Sequence, residues 1–212
     1  MVKSINQCPI GYENNGFKTV FIDKTGSKKL DDGYDPSRDL IQYSAKYDEN
    51  KNILIKVKVD QYDRKAFDGG SSIVFLLDFL KDNGSYLLPF SIRGATDHWW
   101  EVAYSIKNEK INEEVANDVK NIKNKQILTL QNVDEKESEV TVKIDTKKLK
   151  ELGWDEEYPL YIQILTAKDY TITDSFNDPK PYENANFLVG AMPINKFLKY
   201  NSKCFEIGQR RE

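Results

Sequence analysis

DDGYDPSRDLIQYSAKYDENKNILIKVKVD, residues 31–60, sets the architecture expected of the rest of the chain. It opens on an acidic loop with Asp31, Asp32, Gly33, Asp35 and Pro36. An alternating run at 40–47 leads into the polar turn Asp48-Glu49-Asn50-Lys51-Asn52, and a second alternating run fills 53–59. In that second run Ile53, Ile55, Val57 and Val59 share one face, while Leu54, Lys56 and Lys58 share the other. Period two with β-branched residues on one face marks a strand half-buried against a core. Two such runs joined by a short polar turn predict an antiparallel hairpin.

Working outward, residues 1–16 carry Pro9, Gly11, Asn14, Asn15 and Gly16 and read as an extended lead-in before a first strand at 17–23. Residues 60–72 read as a connecting loop. Residues 71–82 (SSIVFLLDFLKD) are apolar on both faces and predict a central strand covered on both sides. Asp78 interrupts it; a buried carboxylate there needs a partner or a metal, and the alternative is that it faces solvent or a loop backbone. Strands are predicted at 86–92, with a bend or edge at Pro89, and at 99–106, with a loop at 93–97 between them.

In 107–125, Ile111, Val115, Val119 and Ile122 follow at spacings of four, four and three. That stripe predicts a short surface helix, the alternative being an exposed excursion. Residues 126–133 and 139–144 alternate around a charged turn. Residues 145–153 predict one or two helical turns between an Asp145 or Thr146 N-cap and a Gly153 C-cap. A strand at 160–167, a long loop at 169–185 and closing segments at 187–192 and 194–197 complete the domain. Strands linked by turns, without strand–helix alternation, predict an all-β, antiparallel two-sheet β-sandwich of immunoglobulin-like or jelly-roll type with one or two short helices. Its expected bounds are 17–198, followed by a polar tail or linker at 199–212 that leads toward any further domain of a longer parent chain.

Composition narrows the partners. Hydrophobic residues at 39% and aromatics at 12% suffice for a core. Thirty-one Lys and Arg against 34 Asp and Glu leave a net charge of −3, which argues against a nucleic-acid surface. No apolar run approaches the ~20 residues of a membrane span. Met1-Val2-Lys3 leads into polar residues without a signal-type apolar region, so either the protein is cytoplasmic or a leader has been removed. Cys8 and Cys204 lie near opposite ends; a disulfide of a secreted domain and two separate thiols both remain open.

Catalytic signatures are scarce. His98 is the single histidine, so triads and HExxH zinc sites are not expected. Asp68-Gly69-Gly70-Ser71 lacks the lysine and following helix of a phosphate loop. Acidic residues are abundant, but abundance singles out no glycosidase pair, and no enzyme and no organic cofactor are expected.

The aromatics say more. Adjacent residues on a strand point to opposite faces, so one of Trp99 and Trp100 packs inward and the other is available at the surface. A wet indole suits the apolar face of a sugar, with Arg93, Asp97, His98 and Glu101 close by to bond hydroxyls. Trp154 is a second candidate platform, and the alternative is that both Trp99 and Trp100 are structural. Acidic loops hold Asp23, Asp31, Asp32 and Asp35 early and Asp169, Asp174, Asn177 and Asp178 late. Of these, Asp31, Asp32, Asp35, Asp174 and Asp178 are the candidate ligands for Ca²⁺, which takes several oxygens; the alternative is ordinary turn aspartates.

The succession DDGYDPSRDL, YSAKYDENKN and ILIKVKVDQY resembles the DOMON-like superfamily, and more closely the family nine carbohydrate-binding modules and related sugar-binding domains of glycosidases and surface-layer proteins. The residues that carry it are Asp35, Asp39, Tyr47-Asp48 and 53–59, with LLDF (76–79), the Trp-bearing strand and ITDSFND (172–178) following in order. The resemblance covers most of residues 17–198 and implies a β-sandwich, often with structural Ca²⁺, that binds sugar between aromatic rings without chemistry. It implies an extracellular or cell-surface setting. The same superfamily includes haem-binding redox domains with Met and His axial ligands, for which His98 and Met192 are the residues on offer. A protein-interaction sandwich of a surface protein is a further alternative.

Overall fold

The computed structural model describes residues 2–4, 16–23, 35–176, 180–182, 186–189, 191–200 and 205–207, with backbone only at 2–4, 120, 180–182, 186–189 and 205–207. The expected hairpin is present: β3 (Leu40–Tyr47) pairs antiparallel with β4 (Ile53–Val59). Ile53, Ile55, Val57 and Val59 are buried, and Leu54, Lys56 and Lys58 are half-exposed. The turn is held by Asp48, whose Oδ1 accepts the amides of Asn50 (2.9 Å) and Asn52 (2.8 Å). This local Asx bonding explains why the tight reversal occurs there.

Around the hairpin a seven-stranded sheet runs β1 (Val2–Ser4), β17 (Phe205–Ile207), β2 (Lys18–Ile22), β3, β4, β11 (Glu139–Ile144) and β10 (Leu128–Asp134). The second sheet runs β13 (Thr171–Ser175), β12 (Tyr161–Lys168), β5 (Ser71–Asp78), β8 (Val102–Lys107) and β9 (Lys110–Val115), with β16 (Met192–Pro193) also on β12. A small third sheet runs β14 (Lys180–Tyr182), β15 (Asn186–Val189), β7 (Ala95–Trp100) and β6 (Ser85–Leu87). The fold is an all-β sandwich. Pairing is antiparallel except between β17 and β2 and between β15 and β7. No helix among the described residues is long and apolar enough to cross a membrane.

Every residue of β5 is buried, because β12 and β8 flank it and both of its faces are covered, as the apolar run predicts. The two large sheets share one core, and polar ties join them. Thr166 Oγ1 donates to Arg38 O (2.6 Å), and the Leu40 amide donates to Asp174 Oδ2 (2.7 Å). Phe21, Tyr43 and Phe176 cluster across the gap, with the Tyr43 and Phe176 centroids 5.7 Å apart. The Tyr43 hydroxyl is sealed in this cluster without a hydrogen-bond partner among the described residues, and burial holds its ionisation far above the ordinary range. An unpaired buried hydroxyl carries its desolvation cost for no return. Tyr43→Phe is therefore expected to keep the urea midpoint or raise it, by up to ~1 kcal/mol in unfolding free energy.

Several expectations are corrected. The stripe in 107–125 forms no α-helix. Residues 110–115 are strand β9, hairpinned to β8 through Asn108 at φ 52°, and only Lys120–Ile122 winds into a 3₁₀ turn. A spacing of four places residues on one face of a strand as well as of a helix, so Ile111 and Val115 satisfy both periods. Residues 60–72 contain the short helix α1 (Arg64–Asp68), capped by Asp63. The long loop at 169–185 contains β13, which returns on β12 through Asp169 at φ 52°. Residues 194–197 belong to a helix, α3 (Ile194–Tyr200).

The strand expected at 86–92 ends at Leu87, since Phe90 and Ser91 turn at φ 57° and 60°. The strand expected at 99–106 is two, β7 and β8, broken at Glu101. In α2 (Thr146–Glu151), Asp145 is the N-cap and Leu152 the C-cap, with Gly153 following at φ 106°. Strands β1 and β17 carry the large sheet beyond the expected bounds 17–198 on both sides. Cys8 and Cys204 lie outside the described residues.

Candidate functional site

Strand β7 emerges from the small sheet with Asp97 exposed, His98 half-buried, Trp99 exposed and Trp100 buried. The period of two turns the adjacent indoles to opposite sides, as the sequence requires. Trp100 is the inward one: it is 3% exposed, and its Nε1 donates to Leu87 O at 2.7 Å. Trp99 is 52% exposed and lies beside Tyr86, with ring centroids 6.1 Å apart. Gly84 sets how closely the preceding turn approaches this pair. At φ 103°, a Cβ there would sit 2.6 Å from Trp100 O and 2.7 Å from Trp99 O. Gly84→Ala is expected to cost about 2 kcal/mol or more in urea unfolding, because neither the dihedral nor the backbone carbonyls can yield cheaply.

Next to Trp99 a cleft of about 310 Å³ opens, lined by Asp78, Leu80, Asp82, Asp97, His98, Trp99 and Tyr158. Asp78 comes from the end of β5, Leu80 and Asp82 from the turn after it, and Tyr158 from the loop before β12. The His98 ring stacks on Tyr161 at 4.0 Å and places Nδ1 3.3 Å from Asp78 Oδ2. Asp78 is buried to 6% exposure, and desolvation raises its pKa although His98 draws it back down. In the neutral imidazole, an Nδ1–H held by Asp78 leaves Nε2 as an acceptor. Burial, followed by the charges of Asp78 and Glu101, pushes the Tyr158 phenol up to about 12. The arrangement offers aromatic faces, carboxylate acceptors and one imidazole: groups suited to holding a polyhydroxylated ligand.

The remaining expected site residues separate. Trp154 is buried, and its Nε1 donates to Tyr158 O (3.2 Å), so it supports the cleft from behind and presents no ring face. Glu101 is fully buried at the β7–β8 break. Its Oε2 accepts the amides of Phe79 (2.7 Å) and Leu80 (3.2 Å), while its own amide donates to Leu77 O. It positions the chain after β5 and does not reach the cleft surface. Arg93 is exposed, does not line the cleft and ties β7 to the β12–β13 turn through its amide on Tyr170 O. Tyr86, Tyr158, Tyr161 and Asp82 join the site without having been singled out from the sequence.

The described metal candidates spend their oxygens on donors. Asp35 accepts Ser37 N, Ser37 Oγ and Arg38 Nε, and although desolvation opposes it, these bonds lower its pKa. Asp174 is buried and accepts the amides of Leu40 and Ser175. These two do not fit a Ca²⁺ ligand set. Asp31, Asp32 and Asp178 lie outside the described residues, and among the described ones no three acidic, His or Cys groups converge for a metal. Met192 is buried and does not line the His98 cleft, so the pair offered for haem does not share that cavity.

A larger groove of about 1050 Å³ runs between the edges β9 and β10. Its carboxylates are used internally: Glu113 accepts Tyr104 OH and Asn124 N, and Glu114 accepts Phe90 N. It holds no exposed aromatic platform, and the smaller cleft is the better candidate site. The chain matches no protein-family model and no curated protein.

Proposed function

We propose that this sandwich is a non-catalytic carbohydrate-binding module of an extracellular polysaccharide-active or cell-surface protein, with the Trp99 cleft as its binding site. The observation that carries the reading is the half-exposed Trp99 ring standing over a cleft edged by Asp82, Asp97 and His98. A sugar ring lays its axial C–H groups on the indole, and its hydroxyls donate to the carboxylates. The volume of about 310 Å³ accommodates one or two sugar residues rather than a long buried chain. Affinity-gel retention on a panel of soluble β-glucans, xylan, mannan and chitin derivatives tests it. Retardation by at least one polymer is expected, and uniform passage through the whole panel overturns it.

Tyr86 and Trp99 are both large, exposed and side by side on β6 and β7, and this favours a second reading, docking of a protein surface. Sedimentation of the purified protein across a concentration series reads out self-association directly.

A further inference from the structure

The cleft is charged in one sense. Among the described residues, Asp78, Asp82 and Asp97 line it together with His98, and no Lys or Arg does; Lys81 is exposed beside Asp82 in the chain but lies outside the lining. Asp78 is the informative member. It is more than nine-tenths buried yet lines the cavity, and only its Oδ2 has a partner, His98; Oδ1 has none among the described residues. The open Oδ1 faces the cleft from largely buried surroundings, where a charged donor is worth more than it is in bulk water. At the rim, Asp97 accepts only a 3.3 Å bond from Gln163 on Oδ1, and the Asp82 carboxylate makes no hydrogen bond or ion pair among the described residues. The aromatic side chains Trp99 and Tyr158 belong to the same lining. Carboxylates combined with aromatic faces recognise an organic ammonium, through ion pairing at the oxygens and cation–π attraction at the rings.

We propose that the cleft selects amine-bearing sugars, with the protonated amine of a hexosamine directed at the Asp78, Asp82 and Asp97 carboxylates while its ring lies on Trp99. The proposal rests on the carbohydrate reading of this cleft and adds the charge class of the ligand. A uronate or sulfated sugar is repelled by the same three groups, and a neutral sugar leaves Asp78 Oδ1 to a weaker hydroxyl donor.

The test uses a matched pair, β-1,4-linked glucosamine hexamer and cellohexaose, which differ by the amine at C2, titrated calorimetrically at pH 6 and low salt. Glucosamine hexamer is expected to bind at least tenfold more tightly, with the ratio falling toward one in the Asp82→Asn/Asp97→Asn double variant. Both of those side chains are exposed, and an unchanged thermal midpoint verifies that the variant is folded. Equal or tighter binding of cellohexaose overturns the charge selection and leaves the carbohydrate reading standing. Binding of Nα-acetyl-lysine amide with no response to either hexamer overturns both.

Discussion

Urea unfolding is expected to show the protein losing stability steadily as pH rises from 5 to 9, the reverse of the usual effect of paired carboxylates. Glu101 is the main cause. Burial, the largest influence, pushes its pKa up to about 9 from 4.5, outweighing the amide bonds from Phe79 and Leu80 that favour the anion. The folded state therefore holds a proton that the unfolded chain releases between these two values. A group with a raised folded pKa contributes its full stability below the unfolded pKa and loses it as pH climbs toward the folded one. The limiting slope is about 1.4 kcal/mol per pH unit.

Held neutral, Glu101 presents Oε2 to two amides, and its Oε1 has no hydrogen-bond partner among the described residues. Glu101→Gln keeps the shape and the acceptor without the ionisation, so the variant should show a much flatter profile and exceed the parent at pH 9. A parent profile that is level or rising over this range would contradict a protonated Glu101.

Trp99→Ala and Trp100→Ala should have opposite consequences although the residues are neighbours. Trp99→Ala is expected to weaken glycan binding by at least ~30-fold, the scale of a ~2 kcal/mol aromatic hot spot. Its thermal midpoint should barely move, because about half of the ring is already in water. Trp100→Ala removes a core indole and its hydrogen bond to Leu87 O, so it should cost ~3–5 kcal/mol of stability. Calorimetric titration and urea unfolding of the two variants separate binding from folding. Undiminished binding by Trp99→Ala would eliminate the indole platform.

The hairpin, the central strand and the opposed indoles were legible because each depends on a local pattern. The alternation in 53–59 has only one burial solution, and the two-sided apolar run before Asp78 requires cover on both faces. The 107–125 stripe misled because a four-residue spacing suits both helix and strand, and the tight turn at Asn108 then decided for strand. The cleft was only partly visible. Asp97, His98 and Trp99 stand together in the chain, but Tyr158 and Tyr161 arrive from some sixty residues away, and no local signal connects them.

Residue order alone determined that this chain builds antiparallel ribbons, that Asp78 must find company if buried, and that one of two adjacent tryptophans faces water. These follow from side-chain period and desolvation, which act over a few residues. Tertiary structure decided which tryptophan that is, that Trp154 and Glu101 serve the interior, and that three carboxylates from β5, its following turn and β7 line one cleft beside Trp99. Convergence of that kind arises from how sheets stack, and stacking is settled by contacts between segments far apart in the chain.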